Sequence, residues 1–169
     1  MYINFRSAKQ SDAKAVLDLY RRAAKKTTEC GIDQWDELYP DMSDVTDDIS
    51  EGCLFIGEQD GQIMSVYTLN RKWDEEYKNG LWKYPEESCA VIHRLCVDPK
   101  LWHLGIGRLT MQYIEKAAKD VGIKSLRLDV LSSNPYAVKL YKKLNYTIAG
   151  IAEYRKGKFY LMEKKIVKE

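Results

Sequence analysis

The sequence predicts a single α/β domain over residues 1–169, with a mixed, mostly antiparallel central sheet and helices on both faces. Three observations indicate this fold class. Of the 169 residues, 45% are hydrophobic and 31% are charged, which is typical of a globular domain. Segments with a hydrophobic period of two alternate with segments of period 3.6, as strands and helices do. Asp60-Gly61 lies between two apolar runs and predicts an antiparallel hairpin.

The first half of the chain begins with a strand and two helices. Ile3 and Phe5 alternate with polar residues as a strand, and Asp12 opens a helix with a regular apolar face. A second helix is expected in the acidic stretch that follows. The remaining predicted elements of this half are the two strands of the hairpin (54–58 and 63–69), a long polar connection with room for a helical turn (70–87) and an apolar strand (89–97).

The second half alternates helices and strands. A helix whose apolar stripe includes Ile106 and Tyr113 is expected to stop at Gly122. Residues 126–130 form the next strand, and Asn134 with Pro135 is a strong helix start. Two last strands, about 146–154 and 158–165, complete the order β-α-α-β-β-β-α-β-α-β-β. The last strands leave an edge to which a second copy could add, but nothing in them requires a homodimer.

Charge is divided unevenly along the chain. Residues 1–98 carry 12 basic and 19 acidic side chains, whereas residues 99–169 carry 15 and 6, so a formal total of +2 divides into −7 and +9. Residues 29–51 contain nine acidic side chains and no Lys or Arg, which attracts cations. We therefore expect phosphate to bind in the basic half. A nucleic-acid surface needs the opposite of the acidic stretch, namely basic residues interleaved with exposed aromatics on one face, and no nucleic-acid partner is expected.

The cellular compartment is predicted from the absence of membrane, secretion and metal-binding patterns in the sequence. No apolar run exceeds four residues, so neither a membrane span nor a signal peptide is expected. The four cysteines form no C-x-x-C pair or other zinc spacing, so no metal is expected. We predict a reduced cytoplasmic protein in which the cysteines are small buried thiols.

The window from Ala90 to Arg108 carries the chemistry. A buried strand stops at Asp98-Pro99 and is followed by Gly105 and Gly107 at the start of a helix. The first turn of a helix presents unpaired N–H groups and a partial positive charge, which together suit a pyrophosphate. Two nucleotide motifs are excluded, because Thr110 stands where a Rossmann fingerprint needs glycine and no P-loop pattern is present.

The motif in this window resembles the acetyl-CoA motif of the GNAT superfamily of N-acetyltransferases. In that family a Val-x-Pro strand end leads into Gln/Arg-x-x-Gly-x-Gly/Ala. Here Val97-Asp98-Pro99 leads into Trp102-His103-Leu104-Gly105-Ile106-Gly107, and both glycines match. A second signature, Asn-x-x-Ala-x-x-x-Tyr, is met by Asn134, Ala137 and Tyr141, so the resemblance covers essentially the whole chain. The departures are Trp102 in place of Gln or Arg, and His103 and Asn145 in place of glycine.

The resemblance implies that acetyl-CoA is the co-substrate. It implies that the backbone of Leu95, Cys96 and Val97 pairs with the pantetheine arm like an added strand. The residues that it places at the phosphates are His103, Leu104, Gly105, Ile106, Gly107 and Arg108. Asn134 is a further candidate contact of the pantetheine arm, although its place as a helix cap also accounts for it.

For catalysis, the resemblance places Tyr141 where a phenol protonates the departing CoA thiolate. The acceptor amine must also lose a proton, but the strand 89–97 contains no acidic residue to take it. His93, whose ordinary pKa is near 6.5, is the candidate base. Action through water by Asp36, Glu37 or Tyr39 remains the alternative.

The resemblance implies an acceptor site between the first two helices and the 70–87 connection. Both segments are acidic and hold aromatic residues, so we expect a small cationic amine as acceptor. The predicted acceptor-binding residues are Trp35, Asp36, Glu37 and Tyr39, with Trp73 and Trp82 nearby on the connection. The predicted function is transfer of acetyl from acetyl-CoA to this amine by direct attack in a ternary complex. The alternatives are a non-catalytic acyl-CoA-binding module on the same fold and a protein lysine or N-terminal acetyltransferase.

Overall fold

The computed structural model describes residues 2–166, and the order of its helices and strands is the predicted one. The strands are β1 (Asn4–Ser7), β2 (Leu54–Gln59), β3 (Gln62–Asn70), β4 (Cys89–Val97), β5 (Ser125–Leu131), β6 (Thr147–Tyr154) and β7 (Gly157–Lys165). The helices are α1 (Ala13–Glu29), α2 (Met42–Ser50), α3 (Ile106–Asp120) and α4 (Pro135–Lys143). Within residues 2–166, no helix is long and apolar enough to cross a membrane.

The chain divides into two compact units, which we call unit 1 and unit 2. Unit 1 comprises the chain up to Leu69 together with Arg94–Thr110. Unit 2 comprises Asn70–His93 together with the chain from Met111 onward. The strand β4 and the helix α3 each contribute residues to both units.

Unit 1 contains an antiparallel meander of β1, β2 and β3. The predicted hairpin is confirmed: Asp60 and Gly61 both have positive φ angles, 51° and 77°, as a type I′ turn between two strands requires. The apolar faces of α1 and α2 pack with the inner faces of β2 and β3 in one cluster that includes Leu19, Val45 and Ile56. The core of unit 1 is therefore helix on sheet.

Unit 2 contains the strands β4, β5, β7 and β6 in that order. The segment Cys89–Ile92 pairs in parallel with Ser125–Leu128, and the other two pairings are antiparallel. Its buried cluster includes Tyr77, Val91 and Leu161, with residues of the 70–87 connection packed on the sheet. The mixed, mostly antiparallel character of the predicted fold is confirmed.

Local signals placed several boundaries correctly. The Asn134 side chain accepts the Ala137 N–H at 3.1 Å, as an N-cap does. Gly122, with φ of 81°, follows the end of α3. The connection 70–87 contains the expected helical turn, which extends from Glu75 to Asn79 and is followed by a second at Glu86–Ser88.

The cysteine prediction is correct except at one position. All four cysteines lie in the described part of the chain, and none forms a disulfide. Three are buried (Cys53, Cys89 and Cys96), but Cys30 is exposed. The expectation of a buried thiol is wrong for Cys30 because this residue caps α1 just beyond the apolar face that packs on the core.

Candidate active site

The turn that leads from β4 into α3 is organised by its own backbone. The Asp98 carboxylate accepts the Lys100 N–H at 3.0 Å and so caps a short turn that starts at Pro99. Leu109 donates its N–H to the Gly105 carbonyl at 3.0 Å, which is the first hydrogen bond of α3. The N–H groups of residues 106–108 therefore precede the hydrogen-bonded part of the helix and have no partner within it. The sequence predicts that an anion binds at these N–H groups.

Glycine is favoured at position 105 because of the backbone φ angle, and not because a side chain would meet neighbouring atoms. Its φ is 80°, and a Cβ placed on it would meet no atom within 4 Å. An L side chain is strained at this φ angle, whereas the surrounding space is open to a ligand. Arg108, in the first turn of α3, is exposed and pairs with no described residue, so a negative charge can reach its guanidinium.

Two residues that differ from the GNAT pattern have the left-handed backbone conformation that glycine adopts easily. His103 and Asn145 stand where the family prefers glycine, and both have a φ of 66°. Asn and His adopt this left-handed conformation more readily than most residues, at a cost of about 1 kcal/mol. The substitutions therefore change the side chains at these turns without changing the turns.

Trp102, the third departure, has a structural partner. Its indole N–H donates to the Val97 carbonyl at 3.0 Å. The indole therefore satisfies the last carbonyl of β4 and fixes the start of the turn. From the sequence alone, Trp102 indicates only that the side-chain hydrogen bond that Gln or Arg would donate to the pyrophosphate is missing.

The segment expected to bind the pantetheine arm is the end of β4. The parallel pairing of β4 ends at Ile92, and two residues later Arg94 has a positive φ of 48°. Leu95–Val97 follow this irregularity. Cys96 is buried in the core of unit 1, and burial raises the pKa of its thiol, which disfavours the nucleophilic thiolate.

Tyr141 lies in unit 2, on the buried face of α4. Its side chain is 7% exposed, and its ring meets the Tyr146 ring edge-on with centroids 5.9 Å apart. Burial, and then the negative charge of Asp129, raises the pKa of the Tyr141 phenol above its ordinary value. The phenol is therefore protonated at neutral pH, the state in which a general acid must be.

His93 is half-buried near the end of the paired part of β4. Its Nε2 lies 2.9 Å from the Oδ1 atom of Asn70, the last residue of β3. The fold brings these two residues together across 23 positions of the chain. The amide of Asn70 is thus a hydrogen-bond partner of the His93 ring.

The four predicted acceptor-binding residues lie in unit 1, in the loop between α1 and α2. Trp35 packs against the core, with its ring edge-on to Tyr20 at 5.3 Å. The Asp36 carboxylate accepts the Leu38 N–H of its own loop, and Glu37 is exposed. Arg21 of α1 donates to the carbonyl oxygens of Asp36 and Glu37, at 2.5 and 3.0 Å. The loop is therefore held by backbone contacts, with its acidic side chains at the surface.

The aromatic residues of the predicted acceptor site face the protein's own arginines. In unit 1, Arg94 donates to the Tyr39 hydroxyl at 2.9 Å, and its guanidinium lies 5.7 Å from the ring centroid. In unit 2, the Arg127 guanidinium lies 4.4 Å from the Trp82 ring and 5.9 Å from that of Trp73. These three rings, for which the sequence predicts a cationic acceptor, therefore lie next to guanidiniums of the chain itself.

Sequence reasoning missed Arg94 and its partner Asp48. The Arg94 guanidinium hydrogen-bonds the Asp48 carboxylate, which is 8% exposed and also accepts the Thr68 hydroxyl proton at 2.6 Å. The signal was present, because an arginine in an otherwise apolar strand must find a charged partner when that strand is buried. Its partner could not be identified, since it lies 46 positions away.

Similarity to known proteins agrees with this geometry. The model of the acetyltransferase (GNAT) family matches residues 14–146. The S-(2-succino)cysteine N-acetyltransferase of Bacillus subtilis (strain 168) is 25% identical over 163 residues, which cover 95% of this chain and 94% of that protein. A GNAT-family acetyltransferase from Streptococcus agalactiae 2603 superimposes with a TM-score of 0.87 at 22% identity, covering 99% of this chain and 96% of the other.

A further structural relative was solved with a ligand. It is the Salmonella typhimurium acetyltransferase yncA, whose structure contains its cofactor acetyl-CoA. The TM-score is 0.65 at 16% identity, over 100% of this chain and 96% of the other. Because the family model spans most of the sequence and the fold agrees throughout, this chain belongs to the acetyltransferase (GNAT) family.

Proposed function

We propose that this protein transfers the acetyl group of acetyl-CoA to the primary amine of a small acceptor, by direct attack in a ternary complex. The observation that carries the proposal is the turn at Gly105, where a glycine with positive φ and open space at its Cβ position comes directly before the first N–H groups of α3. Such a turn binds a pyrophosphate without needing particular side chains. It also explains why Trp102 can replace a polar residue there.

Binding of acetyl-CoA is assigned to two backbone segments. The N–H groups of residues 103–108 hold the pyrophosphate, and the exposed Arg108 in the same segment supplies a positive charge. The backbone of Leu95–Val97 pairs with the pantetheine arm, which Asn134 also contacts. An N–H of the same segment polarises the thioester carbonyl and stabilises the oxyanion that forms on attack.

The reaction needs two proton transfers. The amine nitrogen attacks the thioester carbon, the new C–N bond forms, and the C–S bond then breaks. His93 takes the proton that the amine releases, and Tyr141 gives its proton to the thiolate. No covalent enzyme intermediate forms, in keeping with the burial of the Cys96 thiol.

The proposed acceptor is an amino acid that reacts at its α-amine. The Bacillus subtilis relative is named for such an acceptor, S-(2-succino)cysteine. An amino acid brings the ammonium group that the acidic segment favours, together with a carboxylate. The rings of Tyr39, Trp73 and Trp82 already face guanidiniums, so they are not the site for a second cation. Replacing Asp36 and Glu37 with Lys should raise the KM of a cationic amine. An unchanged KM would show that these two carboxylates do not attract the acceptor.

A thermal melt with and without acetyl-CoA tests the co-substrate site. At about 100 times Kd, a ligand adds roughly 2.7 kcal/mol, or about 5 to 10 °C for a chain of this size. We expect this shift in the wild type and in Gly122→Glu, and its loss in Gly105→Glu. Gly122 is the matched control, because it has a φ of 81° and equally open space at the other end of α3. A shift that survives in Gly105→Glu would contradict the proposed phosphate site.

Turnover with a panel of amines tests the acceptor. S-substituted cysteines should be acetylated faster than polyamines or peptides that carry lysine. Preferred acetylation of a peptide amine would instead support the protein-modifying alternative.

A further inference from the structure

The contact between His93 and Asn70 determines which nitrogen of the imidazole carries the proton. In a neutral histidine one ring nitrogen donates and the other accepts, and the hydrogen bond to either one selects the tautomer. Here Nε2 of His93 lies 2.9 Å from Oδ1 of Asn70. If this amide atom is the oxygen, it can only accept, and Nε2 must be the protonated nitrogen.

A second contact identifies the amide atom as the oxygen. The backbone N–H of Lys72 also points at Asn70 Oδ1, at a distance of 2.9 Å. A backbone N–H is always a donor, so its partner is the oxygen and not the amide nitrogen. The same contact closes a tight turn over residues 70–72, which holds the amide in place. Two donors therefore converge on one oxygen whose position is fixed by the backbone.

We propose that Asn70 is a positioning residue, which holds His93 in the Nε2–H tautomer so that Nδ1 takes the proton from the acceptor amine. This inference rests on the proposed function, in which His93 is the base. An N–H bond of the attacking amine breaks and an Nδ1–H bond forms, while the Nε2–H remains bonded to Asn70. The resulting imidazolium has both nitrogens protonated, and it returns the Nδ1 proton to water before the next cycle.

The neutral amide suits this task better than a carboxylate would. An aspartate at position 70 would accept the same hydrogen bond, but its charge would favour the imidazolium and keep Nδ1 occupied by a proton. The amide orients the ring without adding that charge. The variant Asn70→Asp is therefore the matched control for the tautomer: it keeps the acceptor oxygen, whereas Asn70→Ala removes it.

Nitrogen-15 NMR of histidine-labelled protein tests the tautomer directly. The chain has two histidines, and the His103→Gln variant assigns their signals. We expect a protonated Nε2 and an unprotonated Nδ1 for His93 in the wild type, a protonated Nε2 in Asn70→Asp, and a mixture of tautomers in Asn70→Ala. A wild-type His93 with its proton on Nδ1, or an unchanged spectrum in Asn70→Ala, would overturn the proposal.

Kinetics separates the positioning role from a structural one. In Asn70→Ala, kcat should fall on the order of tenfold while the KM of acetyl-CoA stays unchanged, as expected for an oriented side chain. His93→Gln should lower kcat more, by about 100-fold or greater. Full activity in His93→Gln would overturn the base assignment and the catalytic role of Asn70 with it, but not the acetyl transfer. A loss of activity in Asn70→Ala with an unchanged tautomer would overturn the role of Asn70 alone.

Discussion

Two arginines on strands, the partly buried Arg94 in unit 1 and the buried Arg127 in unit 2, have different partners. Arg94 bonds the Asp48 carboxylate and the Tyr39 hydroxyl, so its charge is neutralised and β4 is tied to α2. Arg127, which is 1% exposed, donates to the Tyr84 carbonyl at 2.7 Å and packs on two indole rings. Its Nε and Nη1 atoms have no hydrogen-bond partner among the described residues.

A carboxylate does lie close to Arg127 in the sheet, but it is used elsewhere. Glu163 stands opposite Arg127 in the β5–β7 register and is 2% exposed. Its Oε1 accepts the Lys83 N–H at 2.6 Å, while Oε2 has no partner among the described residues. The two buried charges therefore hold consecutive residues, Lys83 and Tyr84, of the connection. Arg94 and Asp48 in unit 1 pair with each other, whereas Arg127 and Glu163 in unit 2 each bind a backbone group of the connection.

Breaking the pair in unit 1 should have the largest effect. In Asp48→Ala, Arg94 keeps a largely buried positive charge, 13% exposed, with no carboxylate bonded to it, which costs up to about 3–5 kcal/mol. Urea unfolding should show this loss as a lower midpoint. The double variant Asp48→Ala/Arg94→Met removes both charges and should recover most of the stability. Equal loss in the single and double variants would mean that packing, and not the unpaired charge, is responsible.

The corresponding change in unit 2 should cost less. Arg127→Met removes a guanidinium that has no carboxylate bonded to it, so no ion pair is broken. The loss of the contacts to Trp82 and of the bond to Tyr84 should lower the free energy of unfolding by about 1–2 kcal/mol. If Arg127→Met proves as destabilising as Asp48→Ala in the same urea titration, the contrast between the two units fails.

A third arginine shows how pairing near water depends on pH. Arg6 in unit 1 binds Asp12 and Glu58, and these hydrogen bonds lower the pKa of both carboxyls. A lowered pKa in the folded state adds stability that is complete above about pH 5 and disappears as the pH falls through the lowered values. Arg6→Gln should therefore cost about 1 kcal/mol at pH 7, and this cost should shrink as the pH falls through the lowered pKa values of the two carboxyls. Thermal melts across this range measure the difference, and a cost that is independent of pH would contradict it.

The smallest change tests the link between Arg94 and the acceptor loop. Tyr39→Phe removes one hydrogen bond from a partly exposed hydroxyl and should lower stability by less than about 1 kcal/mol. Because this hydroxyl ties the loop of the predicted acceptor residues to β4, the KM of the acceptor should rise several-fold while that of acetyl-CoA stays unchanged. Steady-state kinetics with each substrate varied in turn measures both constants. Equal changes in the two would indicate a general loss of structure.

The phosphate turn shows how far sequence reasoning reached into the candidate site. The strand end at Asp98, the glycine turn and the start of α3 are set by residues that lie next to one another, so their motif could be recognised. The role of the Trp102 side chain was harder to predict. Its partner, the Val97 carbonyl, comes within hydrogen-bond distance only when the turn after β4 is folded. His103 and Asn145 adopt the positive φ angle that is typical of the glycine in the family motif. The sequence motif alone does not show this.

The sequence by itself determined the order of the elements, the hairpin at Asp60-Gly61 and the cap at Asn134. These features depend on hydrophobic period, φ preference and hydrogen bonds within a few residues. Only the tertiary structure decided that Arg94 meets Asp48 and that His93 meets Asn70, across 46 and 23 positions. Such contacts form where burial brings distant side chains together and removes them from water, so each polar group must take the partner that packing supplies.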